Sequence, residues 1–188
     1  MGKYLIRFLS SILVIGLTGC ASYQFTKRPV LDYKTITIAR KPNNISINVI
    51  RFEDDREDKE KLGMQTGGLF LEGGDVVTET DISEWITGSL KAELKNAGYT
   101  IIAKGGKIKL SGIIERVRSN STINYTGEIV IKLMLVKDNK VVLNKLYTGT
   151  SKDLCWTETD RGFANILEKA LQNTLQQIVN DINNVLLK

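Results

Sequence analysis

Few side chains in this 188-residue chain could do chemistry, and one is a cysteine in an unusual place. Cys20 follows Leu17-Thr18-Gly19, downstream of a basic start (Lys3, Arg7) and an apolar run from Phe8 to Leu17. Charged region, short apolar region and small residues before a cut make up the layout of a secretory signal. The second cysteine, Cys155, sits between Leu154 and Trp156, a local setting that points to a buried, inert thiol. There is no histidine, which removes the commonest general base and metal ligand and every Ser–His or Cys–His nucleophile. Two cysteines are too few for a zinc site of cysteines, and with Cys20 committed at the end of the apolar segment Cys155 has no partner for an internal disulfide. No cofactor is expected.

The acidic side chains are concentrated in Glu53–Lys61, nine charged residues in a row. Glu53, Asp54, Asp55, Glu57, Asp58 and Glu60 could offer oxygens to a hard cation such as calcium. The EF-hand spacing is missing, however, and Arg56, Lys59 and Lys61 interleave, so a solvated, self-neutralising loop is expected and no metal site. Glycoside hydrolysis needs two carboxyl groups about 5–9.5 Å apart across a cleft, and the sequence places no pair so. Gly67-Gly68, Gly73-Gly74 and Gly105-Gly106 lack the Gly-Lys-Ser/Thr continuation of a phosphate-binding loop and are read as loop and hairpin glycines.

Leu17-Thr18-Gly19-Cys20 resembles the bacterial lipobox. That resemblance implies cleavage between Gly19 and Cys20, diacylglycerol on the Cys20 sulfur and acylation of the new amine. Two or three chains would make attachment effectively permanent, since each buried methylene contributes about 0.8 kcal/mol. Two alternatives stand beside it. A membrane-spanning helix needs about 20 apolar residues, whereas Tyr4–Leu17 is shorter and interrupted by Arg7. An ordinary signal would need the cysteine to be coincidental.

The expected organisation is a signal at 1–19, a lipidated tether at 20–34, with Tyr23, Phe25 or Tyr33 able to pack on the body, and one globular domain at 35–188. A mature chain of about 170 residues suits one domain plus a tether. The formal net charge of +5 includes Lys3 and Arg7, so the mature chain carries about +3, too little and too evenly spread for nucleic acid.

Periodicity supplies the elements. A first strand is expected over Thr35–Arg40. A second follows the Pro42-Asn43-Asn44 turn, with Ile45, Ile47 and Val49 alternating with polar residues into Ile50 and Phe52. Residues 53–75 are expected to be one long loop, the main room for function. Asp81-Ile82-Ser83-Glu84 has capping-box spacing before a helix whose largely apolar face holds Ile82, Trp85, Ile86, Ser89, Leu90, Glu93 and Leu94, and which stops at Gly98. Gly88 within it is read as a close-packing position. Tyr99–Ala103 is a strand, parallel to the one before the helix. Lys107–Arg118, Thr122–Lys137 and Val141–Thr150 form an antiparallel meander, turning at Asp138-Asn139-Lys140. Its middle strand is expected to be partly covered on both faces. Phe163, Ile166, Leu167, Ala170, Leu171, Leu175, Ile178, Ile182 and Leu186 define a closing helix from about Asp160 to Leu187, about 40 Å long. It either lies across the sheet or outruns it to meet a partner or second copy. Trp85 is expected in the core, and Trp156, beside Cys155 and before the last helix, either in the core or as an anchor at its rim, with the core preferred. The fold class is α/β in the order β-β-α-β-β-β-β-α, a single mixed sheet with helices on one face.

Three stretches carry a further resemblance: Ile47-Asn48-Val49-Ile50-Arg51-Phe52-Glu53-Asp54-Asp55-Arg56, then Leu90-Lys91-Ala92-Glu93-Leu94-Lys95-Asn96-Ala97-Gly98-Tyr99, then Lys109-Leu110-Ser111-Gly112-Ile113-Ile114-Glu115-Arg116. Together they resemble the YajG-type bacterial lipoproteins. More loosely they resemble the strand–helix–strand domains of curli-secretion and penicillin-binding-protein-activating lipoproteins. The resemblance implies a fold and an address rather than a reaction. Its Asp-x-Arg element falls on Asp54, Asp55 and Arg56, a candidate contact loop with no catalytic role attached. By analogy with bacterial sorting rules, Ala21 and Ser22 after Cys20 imply the outer membrane, facing the periplasm. The expected function is a non-enzymatic binding or scaffold module. It is held to the membrane by acylated Cys20 and meets an envelope protein through the 53–75 loop or the exposed part of the last helix. A subunit of a secretion or transport assembly and an envelope-polymer hydrolase are the alternatives, and the oligomeric state is left open.

Overall fold

The computed structural model describes residues 26–36, 44–66 and 73–187. The signal, Gly19, Cys20, Tyr23, Phe25, Gly67-Gly68 and most of the strand expected at Thr35–Arg40 lie outside them. The described elements are β1 (Ser46–Val49), β2 (Glu53–Asp54), β3 (Lys61–Gln65), β4 (Gly74–Val77), α1 (Ile82–Asn96), β5 (Thr100–Ile102), β6 (Ile108–Ser121), β7 (Asn124–Lys137), β8 (Lys140–Leu154) and α2 (Asp160–Leu186). They form an α/β fold with one mixed eight-stranded sheet and two helices.

The meander forms because its central strand carries a buried residue at every second position and its turn has the right residues. Ile129, Ile131, Leu133 and Leu135 of β7 are buried. Asp138 and Asn139 adopt φ of 49° and 61°, the left-handed pair that a two-residue hairpin needs to match strand twist. β7 pairs antiparallel with β6 and β8 over nearly its whole length. On its far side β6 is met in succession by β1, β2 and β3, all parallel to it. β1 also pairs in parallel with β5, Ile47 opposite Ile101. The connection 103–107 carries the chain from one side of β1 to the other through Gly105 and Gly106, at φ of 77° and 82°.

Helix α1 begins where the capping residues place it: the Asp81 carboxylate accepts from the Glu84 N–H at 2.9 Å. It ends in a Schellman motif, with Gly98 N–H donating to Lys95 O and Tyr99 N–H to Leu94 O, both at 3.0 Å, and Gly98 at φ 101°. Gly88 is not a close-packing position; a Cβ there would meet only Glu84 Oε1, at 3.9 Å.

Close approach occurs instead under α2. A Cβ at Gly127 would lie 2.7 Å from Ile166 O, and one at Gly149 would collide with Ala170 O and Thr174 Oγ1. The helix backbone therefore rests directly on β7 and β8. Ser151 Oγ donates to Ile166 O at 2.6 Å. The apolar stripe of α2 is buried from Phe163 to Leu186, so the helix lies along the sheet and its far end offers no bare apolar stripe. Tyr99 of the α1–β5 turn donates to Asn183 Oδ1 of α2 at 2.7 Å, joining the two helices' ends. Among the described residues no helix lies over the opposite face of the meander, and its cover there is slight: Lys132, Met134 and Leu146 are exposed and only Val130 is buried.

Two segments depart from the sequence expectation. The 53–75 stretch is not one loop: β3 and β4 form an antiparallel ribbon joined to the sheet through Gln65 and Ser121. Its apolar content is low, but Leu62 and Val76 are buried and supply enough burial to dock it. Residues 27–36 are not a free tether but a strap. Lys27 bridges Val76, Leu31 is buried, Trp85 Nε1 donates to Asp32 O at 3.0 Å, and Lys34 N–H donates to Glu168 Oε1 at 2.6 Å. Thr35 and Ile36 belong to this strap and not to a strand.

Gly149→Ala should lower unfolding stability by about 2–3 kcal/mol, because backbone of α2 must shift to admit the methyl. Gly88→Ala should raise it by up to about 1 kcal/mol. Urea unfolding of the two variants checks the contrast, and equal effects would contradict this packing.

Candidate functional site

Asp54, Asp55 and Arg56 were the residues singled out for contact, and the fold treats them differently. Arg56 is only 7% exposed. Its Nε donates to Asp54 Oδ1 at 2.9 Å and Nη2 to Asp54 Oδ2 at 2.8 Å, a bidentate pair. Nη2 also reaches Lys59 O at 2.6 Å, and Nη1 reaches Lys61 O at 3.2 Å. Arg56 is thus an internal clamp that folds the charged run back towards β3. Asp58 assists by accepting from the Glu60 and Lys61 N–H groups at 3.1 and 3.0 Å. Burial works to raise the Asp54 carboxyl, but the hydrogen bonds and charge of Arg56 outweigh it and hold it below the usual carboxylate range. Asp55 alone of the three is exposed.

A surface cavity of about 600 Å³ opens between the strap, the β2–β3 turn and the start of α1, lined by Arg28, Asp54, Lys59, Glu79 and Asp81 among others. Most of its charges are paired. Arg28 pairs with Glu79 at 3.4 Å, Arg51 pairs with Asp81, and Lys59 lies 3.9 Å from Asp54. Hydrogen bonding from the Glu84 N–H, against slight burial and helped by Arg51, holds the Asp81 carboxyl low. Both aspartates therefore stay ionised at neutral pH, and neither can serve there as a general acid. Among the described residues, no three acidic or cysteine side chains gather as a metal site.

Glu93 is a carboxylate on the otherwise largely apolar face of α1. It is fully buried. Its Oε1 accepts from the Tyr33 hydroxyl at 2.7 Å and the Ile36 N–H at 2.8 Å, so it pins the strap to the helix. Tyr33, the described member of the three tether aromatics, thereby packs on the body, and burial together with Glu93 pushes its hydroxyl pKa well up.

Trp156 is not in the core. It is 88% exposed, beside Ile123 at 80% and Leu154 at 61%. These residues share one end of the sheet: Leu154 pairs with Asn124, and the Cys155 N–H donates to Ile123 O at 3.3 Å. Cys155 takes the inward position and packs half-buried against the core, which turns its neighbours outward. The loop beneath Trp156 is fixed. The Tyr125 hydroxyl donates to Thr157 O at 2.6 Å and accepts from the Thr159 N–H at 2.8 Å, while its ring meets Phe163 edge-on at 5.0 Å.

No protein-family model and no curated protein matches the chain. Its fold is similar to that of protein XCC0632 from Xanthomonas campestris, of family DUF330, with a TM-score of 0.59 and 15% identity over 84% of this chain and 93% of that one. It is also similar to an uncharacterized protein (TM-score 0.55, 8% identity, 84% and 99% covered). The hypothetical protein CT253 from Chlamydia trachomatis matches at a TM-score of 0.53 and 8% identity, with 76% and 98% covered. At these identities the likeness is one of fold.

Arg56→Ala should cost about 3 kcal/mol by leaving Asp54 buried without its partner, whereas Asp55→Ala should stay within about 0.5 kcal/mol. The carboxyl of Asp181 is held low by its hydrogen bond from Lys145, with burial opposing and Tyr147 assisting. A depressed folded pKa contributes stability above the unfolded value of about 4 and loses it as pH falls through the folded one. Urea unfolding as a function of pH should therefore show stability falling below about pH 4, with a shallower fall in Asp54→Asn. An unchanged acid limb in that variant would contradict the clamp.

Proposed function

We propose that this chain is a bacterial envelope lipoprotein of the YajG type, cleaved after Gly19 and acylated on Cys20. Its α/β body acts by binding or scaffolding rather than by catalysis. The observation that carries this reading is Leu17-Thr18-Gly19-Cys20 at the end of a basic and then apolar leader. Ala21 and Ser22 favour the outer membrane with the body facing the periplasm, and an envelope protein is its proposed partner. Supporting observations come from the body: its aspartates near the cavity are neutralised by arginines, and no described helix is long and apolar enough to cross a membrane. Cys20 would supply the chemistry for anchorage.

Within the expected contact loop Arg56 and Asp54 hold the fold, while Asp55 and residues 57–60 are exposed; the uncovered face of the meander and the Ile123, Leu154 and Trp156 end are further candidate contact surfaces. Membership of a larger secretion or transport assembly is compatible with such a surface. A polymer hydrolase would need a carboxyl that stays protonated as its general acid, a role the low-held Asp54 and Asp81 do not fit.

Cys20→Ser should abolish labelling by a fatty-acid probe in cells and move the protein from the membrane fraction to the soluble fraction. Undiminished labelling, or unchanged membrane association, would overturn the proposal.

A further inference from the structure

We infer that Ile123, Leu154 and Trp156 form a second membrane contact, a rigid apolar tip that enters the headgroup–acyl boundary of the bilayer to which Cys20 is attached. This rests on the acylation proposed above. The first observation is composition. Three large apolar side chains, 88%, 80% and 61% exposed, belong to one end of the sheet, where Tyr125 braces the loop that carries Trp156. Trp is the residue type most at home at a membrane interface, where its ring is buried and its N–H stays wet.

The second observation is direction. Lys27 runs parallel to β4, opposite Val76, with its N–H donating to Asp75 O at 2.9 Å. Thr26 therefore lies towards the Gly74 end of β4. Gly74 pairs with Gln65, Gln65 pairs with Ser121, and the Thr66 N–H donates to Ser121 O at 2.9 Å. Ser121 is two residues from Ile123. The chain thus leaves the body towards the end of the sheet that carries the tip. The strap reinforces this geometry, because the Arg28 N–H donates at 3.2 Å to Asp160 Oδ1, at the start of the helix that follows Trp156. Six residue steps separate Cys20 from Thr26, roughly 20 Å at full extension. The anchor thus keeps that end of the body beside the bilayer surface.

The third observation concerns charge. Lys152, Arg161 and Lys169 near the tip are offset by Asp153, Glu158 and Asp160, with the Lys169–Asp153 pair closed at 2.5 Å, while the strap adds Lys27 and an Arg28 paired with Glu79. With the local charge nearly balanced, the contact is apolar insertion rather than attraction to anionic lipid, and it depends little on salt.

The test uses the full-length acylated protein, purified in detergent and returned to phosphatidylcholine vesicles, with or without brominated acyl chains, at low and high salt. Trp85 is buried in the core and serves as an internal reference. The tip predicts loss of Trp156 emission in brominated vesicles, shielding from iodide at both salt concentrations, and disappearance of the quenchable component in Trp156→Ala. In Ile123→Ser/Leu154→Ser, surface changes that leave the fold intact, the shielding of Trp156 should fall. Protein that floats with the vesicles while Trp156 stays unquenched and open to iodide would overturn the tip and leave the anchor standing. Protein that carries no acyl chain and does not float would instead overturn the anchor. Shielding in native membranes but not in protein-free vesicles would make a protein the occupant and overturn the lipid contact.

Discussion

The seating of α2 on β7 and β8 is the constraint from which the rest of the molecule follows. Two glycines, Gly127 and Gly149, let the helix backbone descend onto the strands, and eleven side chains of α2 are buried as a result. A 27-residue helix is about 40 Å long and a 14-residue strand about 46 Å, so helix and strands run out together. That match in length removes the overhang that a long apolar stripe otherwise implies. It also commits one face of the sheet wholly to the helices and leaves the other bare. The parallel group of β1, β2 and β3 then extends the same sheet along the remaining edge of β6.

Periodic elements are legible in the residues because their signals are local. Asp81 and Gly98 bracket α1, Asp138 and Asn139 make the hairpin, and the alternation through Ile129 and Leu135 sets which face is buried. The β3–β4 ribbon is hidden for the opposite reason: Gly63, two glycine pairs and a dense run of charge mask a strand pattern that only Leu62 and Val76 support. Arg56 is misleading because an arginine in a charged run looks solvated. Its burial depends on carbonyls at Lys59 and Lys61 that become acceptors only once the turn has formed. Trp156 misleads in the other direction, since a large aromatic beside a cysteine looks like core until the inward position is seen to belong to Cys155.

The strap changes what an N-terminal anchor would mean mechanically. A tether of fifteen flexible residues would let the body tumble freely above a membrane. Instead, residues 27–36 are bound along β4, α1 and α2 by Lys27, Leu31, Tyr33 and Lys34, with the buried Glu93 carboxylate holding Tyr33 and Ile36. The outgoing end of the strap and the exposed Trp156 lie at one end of the sheet. If the chain is anchored at Cys20 as proposed, its orientation would come from this ordinary packing rather than from any reactive group.

The central claim is that the working protein begins at a lipidated Cys20. Mass spectrometry of the N-terminal peptide released from the mature, membrane-extracted protein tests it most directly. The account predicts a peptide that starts at Cys20 and carries the added mass of diacylglycerol on sulfur and an acyl group on the amine. A peptide that starts upstream of Cys20, or an unmodified Cys20, would contradict it.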